Sequence, residues 1–403
     1  MNGYEIHLTR FLAGGNDFSG QIAEWFGSWR LAPLGALQAG ICWKLDNAPV
    51  TLSYEIDGVD TDGNEITATL SVPFQGPQQS AGGLSASEDS VSMAADVSQS
   101  ATATVAVNVS SAEKWSVSVF PANQNSSWLV VFPLSGAGSS EVKLVASAAG
   151  MESGVYTATL VFQSVNTSPQ FVNVPITFVI GASNSIGIEG VANGASFEQA
   201  FAPGMILDVF GRNLADSAES APAVPLPFSL AGASVTVNGA PAPLYYASPT
   251  QLNIQIPYET AAGTAILGLN HRGQVASYLF EVQASAPGIF VGSSGELVPT
   301  SSGAPGGSLP LFVTGVGDVM PMLDTGDPPA NGTPVNKLPA PRLPLSLTVG
   351  GVEITPLFVG IPCGLVGVTQ INFTVPPNVP RGTQPVVVTV GGVASKPASF
   401  TVK

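Results

Sequence analysis

The chain has 403 residues, of which 10% are charged, and its 27 acidic and 12 basic residues give a formal net charge of −15. This balance argues against nucleic acid and anionic membrane surfaces as partners, because both require clustered lysine and arginine. Glycine (45) and proline (34) are abundant, and stretches rich in Val, Thr and Ile alternate with Gly/Pro turns. That pattern predicts an all-β chain of short strands, typical of tandem β sandwiches.

The cysteine content and the hydropathy of the chain indicate in which cellular compartment the protein acts. Cys42 and Cys363 lie near opposite ends of the chain, so we expect two buried thiols rather than a disulfide. No run reaches the roughly eighteen apolar residues of a membrane span, and the N-terminal residues lack the pattern of a signal peptide. We expect no membrane span and, if the protein is exported, a signal that this chain does not carry.

Residues 1–78 form the first predicted β module. Residues 50–56 and 65–74 have the composition of two hairpin strands, and Asp62-Gly63 between them is a dipeptide favoured in tight turns. Residues 79–90 are rich in Gly, Ser and Gln without periodicity, which indicates a linker.

The loop of this hairpin is a candidate calcium site formed by Asp57, Asp60, Asp62 and Asn64. Ca²⁺ prefers six to eight oxygen ligands, which alternating carboxylate and amide side chains supply. The loop departs from the EF-hand order, because Gly63 is fourth counting from Asp60 rather than sixth. Asp and Gly are also what a plain turn requires, and we favour that interpretation.

Trp25, Trp29 and Trp43 are candidate sugar-binding residues, since flat aromatic faces stack on pyranose rings. The short spacing between Trp25, Phe26 and Trp29 cannot place all three rings on one face of a strand. At least one ring is then expected to be exposed. The alternative, which we favour, is that these aromatic residues fill the core of a small sandwich.

Residues 91–181 contain about seven alternating segments, which suits a sandwich of immunoglobulin size. Trp115 and Trp128 are expected in its core. The module resembles the BACON domain through short motifs at residues 115–118, 127–129, 136–138, 154–158 and 174–177. This resemblance implies an immunoglobulin-like sandwich of a family found beside carbohydrate-active modules and in bacterial surface proteins.

The last part of the chain contains an internal repeat. Residues 235–257 recur as 347–376, and each copy has a strand, a Gly turn, a Pro-Leu-aromatic strand and the pattern Gln-aliphatic-Asn-x-x-aliphatic-Pro. Such self-similarity indicates tandem modules, here predicted at 185–290 and 291–403. The pairs Gln251/Asn253 and Gln370/Asn372 lie on one face of a strand. They either present amides to a ligand or, as their recurrence favours, bond to the backbone of an adjacent loop.

Residues 186–403 resemble a domain found at the C-termini of secreted acidobacterial proteins of unknown function. The motifs are the segments 201–206, 210–214, 286–290, 309–317, 366–372 and 391–395. Each half also resembles an IPT/TIG-type immunoglobulin-like fold. The resemblance implies fold and export, and it carries no catalytic residues.

The second copy of the repeat contains an apolar insertion of seven residues, at 361–367. Apolar residues are unusual in a loop, so Ile361, Pro362 and Leu365 are candidate interface residues toward a neighbouring domain or subunit. A loop folded over its own core is the alternative.

These observations predict four tandem immunoglobulin-like β sandwiches in an elongated arrangement, and a non-catalytic protein. His7 and His271 lie in different modules, and neither neighbours a nucleophile motif. We expect an extracellular or cell-surface protein for adhesion or surface interaction, with an extracellular polysaccharide or protein as partner. One alternative is a filament or sheath subunit that self-associates through strand edges at 4–12, 386–390 and 398–402. Another is a set of accessory modules of a secreted hydrolase.

Overall fold

The computed structural model describes residues 6–13, 15–22, 30–31, 50–59, 65–74, 83–110, 113–121, 127–164, 167, 169–181 and 185–403. The described residues are nearly all β, which confirms the predicted fold class. Two 3-10 turns, Ser19–Gln21 and Val335–Lys337, interrupt the strands. No helix in these ranges is long and apolar enough to cross a membrane.

The first described sheet contains five strands. They are β1 (Ile6–Ala13), β2 (Asn16–Asp17), β3 (Arg30–Leu31), β4 (Val50–Val59) and β5 (Glu65–Phe74). The order is β2-β1-β4-β5, with β3 also paired to β1. The antiparallel pair β4–β5 confirms the predicted hairpin. Leu8, Phe11 and Ile22 are buried on this sheet, and the Phe11 ring stacks on Tyr54 at 5.0 Å.

The second module is a two-sheet sandwich. Its strands are β6 (Ser85–Ala86), β7 (Val91–Ala95), β8 (Ser100–Asn108), β9 (Lys114–Pro121), β10 (Leu129–Phe132), β11 (Ser135–Ala137), β12 (Ser140–Ser147), β13 (Gly154–Gln163) and β14 (Phe171–Ile180). One sheet has the order β6-β8-β12-β10, and the other has the order β11-β9-β13-β14-β7. β7 lies parallel to β14, whereas the other pairs are antiparallel. These orders contain those of the ABED and CFG sheets of an immunoglobulin-like domain, with β7 added in parallel beside β14 and β11 added beside β9.

Two tryptophans lie in the core of this sandwich, as predicted. Trp115 is 3% exposed and donates its indole N–H to the Gly138 carbonyl at 2.9 Å. Trp128 is 5% exposed and stacks on Phe178 at 5.5 Å. Each buried ring removes a large apolar area from water, which is the main favourable term in sandwich stability.

The third module repeats the topology. Its strands are β15 (Gly187–Asn193), β16 (Ile206–Arg212), β17 (Glu219–Ser220), β18 (Ser229–Leu230), β19 (Ala233–Val237), β20 (Ala240–Ala242), β21 (Leu244–Ala247), β22 (Gln251–Gln255), β23 (Gly263–His271) and β24 (Gln274–Val282). The sheets have the orders β15-β16-β22-β21-β17 and β18-β19-β23-β24, with β20 paired to β19.

The fourth module shares this arrangement. Its strands are β25 (Gly288–Ile289), β26 (Ser302–Gly303), β27 (Ser308–Thr314), β28 (Val319–Met320), β29 (Ala340–Pro341), β30 (Leu345–Val349), β31 (Val352–Ile354), β32 (Phe358–Gly360), β33 (Thr369–Thr374), β34 (Gly382–Val390), β35 (Val393–Ala394) and β36 (Ala398–Val402). Its sheets have the orders β25-β27-β33-β32 and β26-β36-β34-β30-β31, with β35 paired to β34. β28 and β29 form a separate pair. The chain therefore builds the same immunoglobulin-like strand order three times.

The repeated motif occupies equivalent places in both modules. Asn238-Gly239 joins β19 to β20 and Gly350-Gly351 joins β30 to β31, each as a two-residue turn with positive φ at both positions. Within each following strand the Gln side chain donates to the Asn two residues later, at 3.2 Å in β22 and 2.8 Å in β33. The expectation that these amides bond to loop backbone is wrong here, because side chains on one strand face reach each other directly.

An apolar patch joins the second and third modules. Val155 and Val179 on the outer face of β13 and β14 pack against Ile266 and Val275 of β23 and β24. The Asn270 amide also donates to the Ser153 carbonyl at 3.1 Å.

Buried polar contacts join the third and fourth modules. Fully buried Thr314 accepts a hydrogen bond from the Ile206 N–H at 2.9 Å and donates to the Gly367 carbonyl at 2.7 Å. Fully buried Gln255 donates to the Gly204 carbonyl at 3.1 Å and accepts from the Gly326 N–H at 2.7 Å. A buried polar group costs free energy unless it is bonded, so these bonds fix the two modules in register.

Candidate ligand-binding groove

An exposed aromatic residue lies where the third and fourth modules meet. Phe197 is 66% exposed, and its backbone is left-handed with φ of +59°. For a bulky residue this conformation costs roughly 1–3 kcal/mol and persists only where the surroundings impose it. Strain of this kind is concentrated at binding and catalytic sites.

Asn193, at the end of β15, imposes that conformation. Its side-chain oxygen accepts from the N–H groups of Ala195 and Ser196 at 3.0 and 3.2 Å, and its amide donates to the Ala286 carbonyl at 3.0 Å. Its backbone carbonyl accepts from the Phe197 N–H at 2.9 Å. Asn193 is fully buried. Hydrogen bonds to Asn193 therefore hold the backbone of this turn, and the Phe197 side chain is exposed to solvent.

The ring borders a groove of about 500 Å³ between the two modules. Ile289, Val291 and Pro397 of the fourth module supply its apolar surface. Gly288 precedes this surface, and a Cβ there would clash with the Asn193 amide, so the close approach of the modules requires glycine.

The polar rim of the groove consists of Ser196, Ser293 and Lys396. The turn that carries Ser293 is anchored to the last strand, because the Ser399 N–H donates to the Gly295 carbonyl at 2.8 Å. An aromatic face, an apolar floor and a few polar groups are the usual composition of a ligand site. The groove thus takes Ser196 and Phe197 from the third module and its other lining residues from the fourth.

A separate polar cluster lies on the sheet that β16 and β22 form in the third module. Asp208 on β16 is 2% exposed and accepts a hydrogen bond from Asn253, which in turn accepts from Gln251. Burial raises the pKa of Asp208 to about 6, and the Asn253 bond partly opposes that shift. The cluster holds one carboxylate, whereas glycoside hydrolysis uses two.

Most of the candidate residues from the first module lie outside the described residues. These are Trp25, Trp29 and Trp43 for sugar binding, and Asp60, Asp62 and Asn64 for calcium. Asp57 lies on β4, where its backbone pairs with Thr67 of β5. In the described ranges, no three His, Cys, Asp or Glu side chains are grouped as metal ligands. The calcium and tryptophan sites stay predictions.

The candidate interface residues lie on the insertion of the fourth module. Ile361 is 1% exposed and belongs to the core of that module, whereas Pro362 and Leu365 are half-buried. The adjoining Val366 contacts the third module, where its carbonyl accepts from the Tyr245 hydroxyl at 2.5 Å and its N–H donates back at 3.0 Å. Burial raises the Tyr245 pKa to about 12, so this hydroxyl stays protonated.

Two of the strand edges predicted for self-association, at 386–390 and 398–402, are not free. β34 lies between β36 and β30, and β36 lies between β26 and β34. These two predictions were wrong because neighbours from distant parts of the chain complete the sheet. β1 pairs along one side with β4 and on the other side only near its ends, with β2 and β3, so the edge at 4–12 stays a prediction. Several described strands end their sheets, and β10 is one of them, with β12 as its partner.

No protein-family model matches the chain, and no characterised protein matches it in sequence. Among solved structures it is similar to a titin I9–I11 tandem (11% identity, 79% of this chain and 98% of that one, TM-score 0.17). It is also similar to the human desmocollin-1 ectodomain, with 11% identity over 88% of this chain and 64% of that one and a TM-score of 0.19. A GH5 xyloglucanase from Bacteroides ovatus matches at 13%, with 30% of this chain, only 21% of that one, and a TM-score of 0.20. Likeness at this distance carries no conclusion about function, and the BACON and acidobacterial resemblances stay predictions.

Proposed function

We propose that the chain is a non-catalytic binding protein that acts outside the cell in adhesion or surface interaction, and that its groove holds a glycan. The observation that carries the proposal is Phe197, an exposed aromatic residue whose strained backbone is held by the buried Asn193. An exposed aromatic ring at the mouth of a groove offers a flat face on which a pyranose can stack, and the fixed backbone of Phe197 keeps that side chain at the groove. The resemblances to BACON and to secreted acidobacterial domains agree with action outside the cell.

The test is binding of the purified chain to a panel of neutral and acidic polysaccharides, followed by titration calorimetry on any that bind. Phe197→Ala should weaken binding about two- to tenfold, since stacking of an aromatic side chain is worth roughly 0.5–1.5 kcal/mol. Phe228→Ala is the matched control, because Phe228 is 49% exposed in the same module and lies outside the groove. Absence of binding to the whole panel, or equal loss in the two variants, would refute the proposal.

A second function, self-association into a filament or sheath, is favoured by one observation. The edge strand β10 exposes Val130 (60%) and Phe132 (73%). An exposed apolar edge is a template for pairing with another strand. Light scattering of the native chain and of Phe132→Glu tests it: multimers lost in the variant support assembly, whereas a monomeric native chain removes it.

A further inference from the structure

The charge distribution in the groove selects among glycans. Lys396 is the only charged residue that lines it, in a chain with 12 basic residues and a net charge of −15. Within the described part of the chain, no carboxylate forms an ion pair with the Lys396 ammonium. An unpaired cation at the rim of a concave site attracts an anionic group of the ligand.

Glu296 is the carboxylate nearest in sequence to the groove lining on the fourth module. It accepts a hydrogen bond from the Ser294 N–H at 2.9 Å, and its carboxylate lies beside Gly292, which itself lines the groove. The backbone of its own turn thus holds the Glu296 carboxylate, and in the described part of the chain it forms no ion pair with Lys396.

The backbone that carries Lys396 is fixed on both sides. Ser395 is 5% exposed, its hydroxyl accepts from the Val388 N–H at 3.1 Å, and its own N–H donates to the Val388 carbonyl at 2.8 Å. Pro397 follows and restricts the backbone further. The ammonium thus moves only within the reach of its own side chain, at the rim of the groove that Phe197 also lines.

We propose that the ligand of the groove is an acidic polysaccharide whose sugar ring stacks on Phe197 while a uronic-acid carboxylate binds the Lys396 ammonium. This inference rests on the proposed function, because it names the class of glycan for the same groove. A neutral sugar needs only hydroxyl and amide partners, which Ser196 and Ser293 supply. A carboxylate adds a charge-assisted hydrogen bond, which is about twice as strong as a neutral one.

The experiment compares acidic polymers with their neutral counterparts. Polygalacturonate, alginate and hyaluronan are each titrated against the full chain beside the same polymer with its carboxyl groups methyl-esterified. Measurements at about 0.15 M salt, where the Debye length is about 8 Å, limit the effect of the net charge on the comparison. At least one acidic polymer should bind roughly three- to tenfold more tightly than its ester, in line with one partly exposed ion pair.

Variants separate this inference from the proposed function. Lys396→Met should abolish the preference, so that the acidic polymer and its ester bind with equal affinity, whereas Phe197→Ala should weaken both and leave the preference. Lys337→Met is the matched control, since Lys337 is exposed outside the groove. If polymers bind through Phe197 but acid and ester bind equally, the acidic-glycan inference fails and the proposed function stands. If no polymer binds, both fail.

Discussion

Tyr258 gives the sharpest test of the coupling between the third and fourth modules. It follows β22 of the third module, yet its ring is 1% exposed and belongs to the core of the fourth. Its N–H donates to the Thr325 hydroxyl at 3.1 Å, and that hydroxyl donates to Glu259 at 3.1 Å. The side chain of one module thus completes the core of the next.

The expected cost of Tyr258→Ala follows from this burial. Truncating a fully buried aromatic side chain costs about 3–5 kcal/mol, since apolar contact is lost and a cavity remains. At about 1.4 kcal/mol for each factor of ten, the lower value already shifts the unfolding equilibrium more than a hundredfold. Because the Tyr258 ring bridges two modules, we expect the loss of stability in both of them.

Hydrogen exchange followed by mass spectrometry distinguishes the modules within one chain. Exchange in Tyr258→Ala should rise on β16 and β22 of the third module and on β27 and β33 of the fourth, and stay near the native rate on β12 of the second. Phe228→Ala, with its side chain 49% exposed, is the control and should change little. Faster exchange confined to the fourth module would refute the coupling.

Two further predictions concern carboxylates. The pKa of Asp208 is raised to about 6 in the folded chain, against 3.8 for an ordinary aspartate. The folded chain therefore binds this proton more tightly than the unfolded chain does. The resulting contribution to stability is complete below pH 3.8 and is lost as the pH rises through 6. A shift of about two units corresponds to about 2.7 kcal/mol, which is an upper value for this contribution. Asp208→Asn should therefore flatten the fall in unfolding free energy between pH 4 and 7 in urea titrations, and an unchanged slope would contradict this. The pKa of Asp216 is lowered to about 2, chiefly by its hydrogen bond with Arg272 and then by His271. That contribution is present above pH 3.8 and lost as pH falls through 2. Asp216→Asn should lower thermal stability at pH 6 and converge with the native chain near pH 2, and a pH-independent difference would disprove it.

The sequence predicts those parts of the fold that depend on residues close together along the chain. The alternation of β4 and β5, the turn at Asn238-Gly239 and the burial of Trp115 and Trp128 each follow from neighbours along the chain. The internal repeat also indicates that two modules share a fold, and their strand orders agree.

What the sequence does not predict depends on distant partners. β34 has the pattern of any alternating strand, and only the pairing of β30 and β36 on its two sides removes its edge. The exposure of Phe197 depends on Asn193, whose amide bonds to Ala286 about ninety residues away. Asn193-Gly194 signals a turn, but no local pattern shows that the aromatic residue after it faces solvent.

The same long-range contacts link ligand binding to stability. The ring of the groove comes from the third module and Lys396 from the strand end of the fourth, so the groove exists only while the modules are docked. A ligand that binds only the docked form stabilises it by about 2.7 kcal/mol at a hundred times its Kd. This amount is comparable to the lower cost of losing Tyr258. Binding at the groove should therefore slow hydrogen exchange at the buried Thr314 and Gln255 contacts, which do not line it. The groove and the interface behind it then act as one thermodynamic unit.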